Sequence, residues 1–404
     1  MISRTLALYK NAYSGLSPST WWLSFVMLVN RSGTMVLPFM TIYLTSPSMG
    51  YSIGQAGFVM ALFGLGAVTG AFLGGKLTDR IGFYPVQLIT LLGGGVLFMV
   101  LGQMKSFPLI CLFTYLLSLV NEAFRPANST AIVAYSKDET RTRSYALNRL
   151  AINLGWAVGS AIGGFLASIS YELLFWVDGA TNITAALLLA YFLHPSKQVK
   201  PAKKATVADP SHSAYRDKIY LWFILLTVLF AACFFQLFTN LNAYYKIELH
   251  FNERFIGLIG ALNGVMIAVI EMVLIFKLEK RRSNIFYISR GVFLVGIAYF
   301  MLNIFHINHV MALLMMVVMT MGEMFALPFM NSFWTSRSAD HNRGQYAGLY
   351  TIAWSVAQTA GPFLAAQLAE HSGFNVLWWV LGGTSFATAI GFIWLKRYME
   401  NVSS

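Results

Sequence analysis

The sequence predicts an all-α membrane protein of twelve transmembrane helices, arranged in two pseudo-symmetric six-helix bundles. Three observations carry this. Of 404 residues, 57% are hydrophobic and only 11% charged, against roughly 25% charged residues in an ordinary soluble domain. The apolar residues gather into runs of about 20, the length that crosses a bilayer core. Features of the first half recur in the second at an offset of about 201 residues.

Polar punctuation separates the runs. Helix 1 is read at 20 to 44, after SPST and before SPSMGYS; helix 2 at 54 to 75, ending on KLTDRIG; helix 3 at 85 to 104, ending on QMKS. Helix 4 follows at 107 to 133 and stops at SKDETRTR, helix 5 at 144 to 169, and helix 6 at 173 to 194 beyond SISYE. The second set runs 218 to 243, 255 to 277, 286 to 305, 308 to 334, 345 to 368 and 375 to 396. Between the sets, PSKQVKPAKKATVADPSHSAYRD is polar, has no apolar period and reads as a linker. The domains expected are therefore 1 to 194, a linker at 195 to 217, and 218 to 404. The first twenty residues are too polar for the apolar core of a cleavable signal, so helix 1 is expected to be retained. Cys111 and Cys233 fall inside helices, which argues against a structural disulfide.

The net charge of +12 reads as topology. With both termini cytoplasmic, only Lys105, Lys246 and Arg254 fall outside, and Arg31, Arg125 and Arg149 lie within helices; the other basic residues are on the inner side, as the positive-inside rule requires. No soluble basic domain exists to bind nucleic acid. The basic loops suit lipid headgroups. The expected setting is a bacterial-type inner membrane, with the chain as a monomer.

The repeat is an ordered series. Gly57, Ala61, Leu62 and Gly64 fall on Gly257, Ala261, Leu262 and Gly264; Glu122 and Pro126 fall on Glu323 and Pro328. Tyr145 matches Tyr346, Trp176 matches Trp379, and Gly179 matches Gly382. Parallel six-helix repeats are an architecture of transporters that rock about a central site.

At the turn after helix 2, Gly75-Lys76-Leu77-Thr78-Asp79-Arg80-Ile81-Gly82 resembles the signature loop of the major facilitator superfamily, G-x-L-A-D-R-x-G-R-K. Phe83 and Tyr84 replace its basic pair. The resemblance implies that Gly75, Asp79, Arg80 and Gly82 form a gating loop. In helix 5, Gly155, Gly159, Gly163 and the residues between them look like the signature of the drug/proton antiporter branch, with Ser160 in place of its proline. Gly361-Pro362 restores that proline in helix 11. Close helix packing through small residues accounts for the same pattern. Asn30-Arg31, Ala151 to Gly155 (with Asn153) and Gly322-Glu323 are similar to pieces of the proton-coupled peptide transporters, although Met27, Asn30 and Ser32 depart from their E-x-x-E-R-F motif.

Ionisable residues at bilayer depth are costly unless they have partners or face water, so each is a functional candidate. The carboxyls are Glu122, Asp178, Glu271 and Glu323, candidates for proton coupling. Arg31, Arg125 and Arg149 are candidates for substrate or charge pairing. Glu122 and Arg125 are three apart and suited to pair on one helix face. Glu323 stands in a long apolar run with its repeat partner at the same depth, and a carboxyl in low dielectric holds its proton more readily. Tyr145, Tyr346, Tyr350, Trp354 and Phe325 lie in helices that line the cavity in this superfamily, although for any one of them packing is the better reading.

The reading is a secondary transporter that works by alternating access, coupled to protons and exporting small amphipathic compounds. It needs no cofactor or metal beyond the proton gradient. The alternative is proton-driven uptake of a zwitterion such as a short peptide. A membrane-embedded enzyme or receptor is remote: the seven His are scattered, and no nucleophile motif or sizeable soluble domain is present.

Overall fold

The structure is a computed structural model and describes residues 15–137, 140–195, 213–278, 281–338 and 343–403. Most of the linker, and Lys10 before helix 1, lie outside the described residues. Those residues carry eleven stretches of helix long and apolar enough to cross a membrane. The last, Gln345–Asn401, is 57 residues, about 85 Å if straight, where about 30 Å crosses the core. It is broken at Gly373, whose φ of 81° is the left-handed backbone that glycine tolerates. Counting that stretch as two crossings fits the expected twelve.

The first crossing differs from the expected single helix. α1 (Pro18–Ser32) starts on Ser17, whose Oγ accepts from the Thr20 N–H at 3.1 Å, with Pro18 in the first turn. The chain then leaves the helix at Gly33 and resumes as α2 (Val36–Thr45). α3 (Ile53–Ile81) runs six residues past the expected end, so Gly75, Asp79 and Arg80 sit on its last turns and not in a loop. Gly82 alone, at φ 87°, separates it from α4 (Phe83–Gly102). α5 (Phe107–Tyr135), α6 (Arg141–Ala167) and α7 (Tyr171–Phe192) complete the first half.

The second half repeats the departure. α8 (Lys218–Phe234) passes through a 3₁₀ turn at Phe235–Phe238 into α9 (Asn240–Ile247), where one helix was expected. α10 (Glu253–Leu278), α11 (Asn284–Ile304), α12 (His309–Arg337) and α13 (Arg343–Ser403) follow. α13 holds both expected helices 11 and 12, with no loop between them.

Two compact units result: residues 1–37 with 65–200, and residues 38–64 with 201–404. The segment 38–64 was expected with the first. Within the first unit, α1 packs on α6, and α4 packs on α5 and α7; within the second, α8 packs on α13, and α11 packs on α12 and α13. The repeat is thus also a repeat of packing. Matching close approaches occur where a Cβ on Gly95 would stand 2.8 Å from the Gly179 carbonyl, and one on Gly296 would stand 3.3 Å from that of Gly382.

Candidate functional site

The first cluster lies in the first unit. Arg125 donates to Glu122 across 2.8 Å, closing the expected pair; the Glu122 side chain is 11% exposed and that of Arg125 66%. Arg31, near the end of α1, lies within the field of both groups, and its Nε–H is buried without a hydrogen-bond partner. α6 fixes its backbone: a Cβ at Gly155 would stand 2.6 Å from the Arg31 Cβ, and one at Gly159 would stand 2.8 Å from the Ser32 carbonyl. The glycines of the helix 5 signature therefore seat α1 where it ends. Gly361 does the same on α8, where an added Cβ would stand 3.0 Å from the Ala232 Cα, and Pro362 offers its carbonyl to Asn240 at 3.2 Å. Gly163 is buried further along α6.

The second cluster surrounds Asp178. It is fully buried on α7, and its carboxylate accepts the N–H groups of Met35 (2.9 and 3.1 Å) and Val36 (2.8 Å). These are leading donors of α2, which have no partner inside the helix. Asn182, one turn on, donates to the Asp178 carbonyl at 2.8 Å and accepts from Asn30 at 2.9 Å. Asp178 thus caps a half-helix inside the membrane.

The third cluster lies in the second unit. Glu323, 9% exposed on α12, accepts from Asn263 of α10 at 3.0 Å, and the same amide donates to Thr320 at 3.0 Å. Thr320 gives its own proton to the Met316 carbonyl at 2.7 Å, so its oxygen is an acceptor toward Asn263, which settles the orientation of the amide. Glu271 is buried on α10 about two turns beyond Asn263. Phe325 stacks on Tyr287 at 6.4 Å. Trp354 is ringed by Phe230, Phe234, Phe235 and Tyr350 with centroids 5.8 to 6.3 Å away.

Other expected residues go elsewhere. Arg149 and Tyr145 are exposed, and Tyr145 donates to the Ser129 carbonyl at 3.3 Å. Asn153 is half-buried. Tyr346 is held at the start of α13 by Asp217, which accepts its hydroxyl at 2.8 Å and takes both Nε and an NH2 of Arg337 at 2.5 and 2.8 Å. Asp79 and Arg80 are exposed at the end of α3.

Sequence reasoning missed the neutral partners. Asn263, Thr320 and Asn182, together with the Asn30 already noted beside Arg31, are buried amides or hydroxyls, as are Gln87, Asn128 and Asn148. These last three form a chain in which Gln87 donates to Asn128 at 3.5 Å and Asn128 to Asn148 at 3.2 Å. A lone amide in an apolar run, as in LIGALNGVM, is the signal that would have found them.

Residues 21–362 match the Major Facilitator Superfamily. The chain is 22% identical over 93% of its length to a Na(+), Li(+), K(+)/H(+) antiporter of Planococcus maritimus, covering 96% of that protein. It is 20% identical over 83% of its length to the quinolone resistance protein NorA of Staphylococcus aureus, covering 85% of it. Its fold matches a POT family transporter crystallised with 5-aminolevulinic acid, at TM-score 0.79 and 14% identity over 94% of this chain and 96% of that one.

Proposed function

The chain belongs to the Major Facilitator Superfamily and is a membrane transporter, not an enzyme, and from that premise we propose that it exports small amphipathic compounds in exchange for protons by alternating access. The observation that carries this is Glu323, a carboxyl buried in the middle of α12 and held by the amide of Asn263. A buried carboxyl so placed is suited to take up and release one proton. Each proton moved down 100 mV supplies about 2.3 kcal/mol. The antiporter and the quinolone resistance protein among the relatives support exchange and export, and the ring set about Trp354 supports an apolar, aromatic cargo. The two six-helix halves are the moving parts in this reading, Asp79 and Arg80 gate them, and both termini face the cytoplasm of an inner membrane.

The test is flux in proteoliposomes under an imposed pH gradient of either sign. Glu323→Gln should abolish gradient-driven dye efflux while leaving the amount of folded protein intact; undiminished flux removes Glu323 from coupling. A second reading, uptake of a zwitterion such as a short peptide, is favoured by the unpartnered Nε–H of Arg31, a ready donor to a carboxylate. Gradient-driven uptake of labelled dipeptide, lost in Arg31→Gln, would establish it; dye efflux without peptide uptake would discard it.

A further inference from the structure

Basic residues at a membrane boundary commonly do no more than set topology. Two arginines at the start of α11 are held more specifically. Phe286 and Arg290 are spaced by four on one face of α11, and Arg282 lies in the turn just before it. The guanidinium carbons of Arg282 and Arg290 stand 5.9 and 5.4 Å from the centroid of the Phe286 ring. Both arginines are exposed, and among the described residues neither has a carboxylate partner. Arg290 lies within the helix itself, so its side chain turns back toward the helix start. At that start the Ser283 side chain makes no capping bond, which leaves the helix end its partial positive charge. Two exposed cations therefore flank one aromatic ring beside a helix N-terminus.

Beyond Arg290 the surface turns apolar. Phe293, 41% exposed, meets Phe386 at 4.7 Å; Phe386 meets Phe300 at 5.0 Å; Phe300 meets Trp379 at 5.0 Å. From Phe286 to Phe300 this ladder rises about 21 Å along α11, more than the roughly 15 Å of one leaflet's core. Guanidinium forks match phosphate oxygens, and a ladder of this length offers an acyl chain a bed of rings.

We propose that this face binds an anionic phospholipid, its phosphate between Arg282 and Arg290 and an acyl chain along Phe293, Phe386 and Phe300. The site is independent of the transport reading, because its assay reads bound lipid and no flux.

The experiment uses the purified full-length protein in detergent, offered dioleoyl phosphatidylglycerol or dioleoyl phosphatidylcholine, with retained lipid read by native mass spectrometry. Wild type should prefer the anionic lipid. In Arg282→Gln with Arg290→Gln that preference should fall by roughly thirtyfold, the effect of two basic residues at a lipid surface. Arg282→Lys with Arg290→Lys should fall between, since lysine keeps the charge but not the planar fork. Lys396→Gln with Arg397→Gln should match wild type. An unchanged preference in the double glutamine variant overturns the site. So does displacement of the lipid by soluble glycerophosphoglycerol at equal concentration, which would make it a free-phosphate site.

Discussion

Each half of the chain opens with a broken helix, and the two breaks are held by different chemistry. In the first, the chain leaves the helix from Gly33 to Met35, so α2 begins with unpartnered N–H groups, and the Asp178 carboxylate collects those of Met35 and Val36. In the second, the chain keeps turning through a 3₁₀ segment, fewer groups are orphaned, and neutral partners suffice. There Asn240 bonds Gln236 at 2.6 Å, and Tyr299 donates to the Cys233 carbonyl at 2.6 Å. The position matching Asp178 in the repeat is Leu381, whose carbonyl faces the Cys233 thiol at 3.8 Å. The difference sorts the buried carboxyls. Asp178 answers to a backbone, whereas Glu323 takes a hydrogen bond from the side chain of Asn263.

The comparison breaks most readily at Asp178. Asp178→Leu, which imposes the second half's residue on the first, should cost about 2 to 6 kcal/mol by leaving the buried N–H groups of Met35 and Val36 without an acceptor, seen as a collapse in folded yield and melting temperature. A variant as stable as wild type would show that the carboxylate is not the cap. Asp178→Asn, which keeps one acceptor oxygen, should lose less.

Next in size is the seat of each first helix. Gly155→Ala should cost about 1 to 3 kcal/mol, because its methyl would meet the Arg31 Cβ at 2.6 Å. Gly361→Ala, where the nearest atom is at 3.0 Å, should cost less, and equal melting temperatures would erase the distinction. Tyr299→Phe removes one neutral bond at the second break, worth about 1 kcal/mol, readable in the same melt.

The starts of the two halves sharpen the contrast through pH. Ser17 opens the first half with a neutral cap, while Asp217 opens the second. Burial pushes the Asp217 carboxyl up, but its bonds from Arg337, Tyr346 and the Tyr220 N–H outweigh this and hold it below its usual value. A depressed native value stabilises above the unfolded one, near 3.8, and the gain is lost as pH falls through the native value. Melting curves of wild type and Asp217→Asn should therefore differ at neutral pH and converge in acid; a gap that persists at low pH would refute the ion pair's part. The smallest effect is Gly75→Ala, for which no atom lies within 4 Å. It should leave stability unchanged or raise it by up to about 1 kcal/mol through helix propensity, and a clear loss would point to packing at this signature glycine.

The candidate site was legible where chemistry is local. Glu122 and Arg125 pair across one turn, and that spacing is visible in the chain itself. Asn148 rather than its charged neighbour Arg149 proved to be buried, since charge marks a residue in sequence while a helix's rotation decides which neighbour faces inward. For Tyr346 the helix alone left cavity lining and packing both open, and its hydroxyl turned out to donate to Asp217, 129 residues away.

By itself the sequence determined the membrane class, the apolar spans and the superfamily, because a bilayer imposes length and apolarity on every span and a family signature is local in the chain. The breaks in the first helix of each half were decided only in the tertiary structure. A hydropathy run does not record where backbone bonds fail, and a break survives only when a group from a distant helix, here Asp178 or Tyr299, arrives to take the orphaned donors and acceptors.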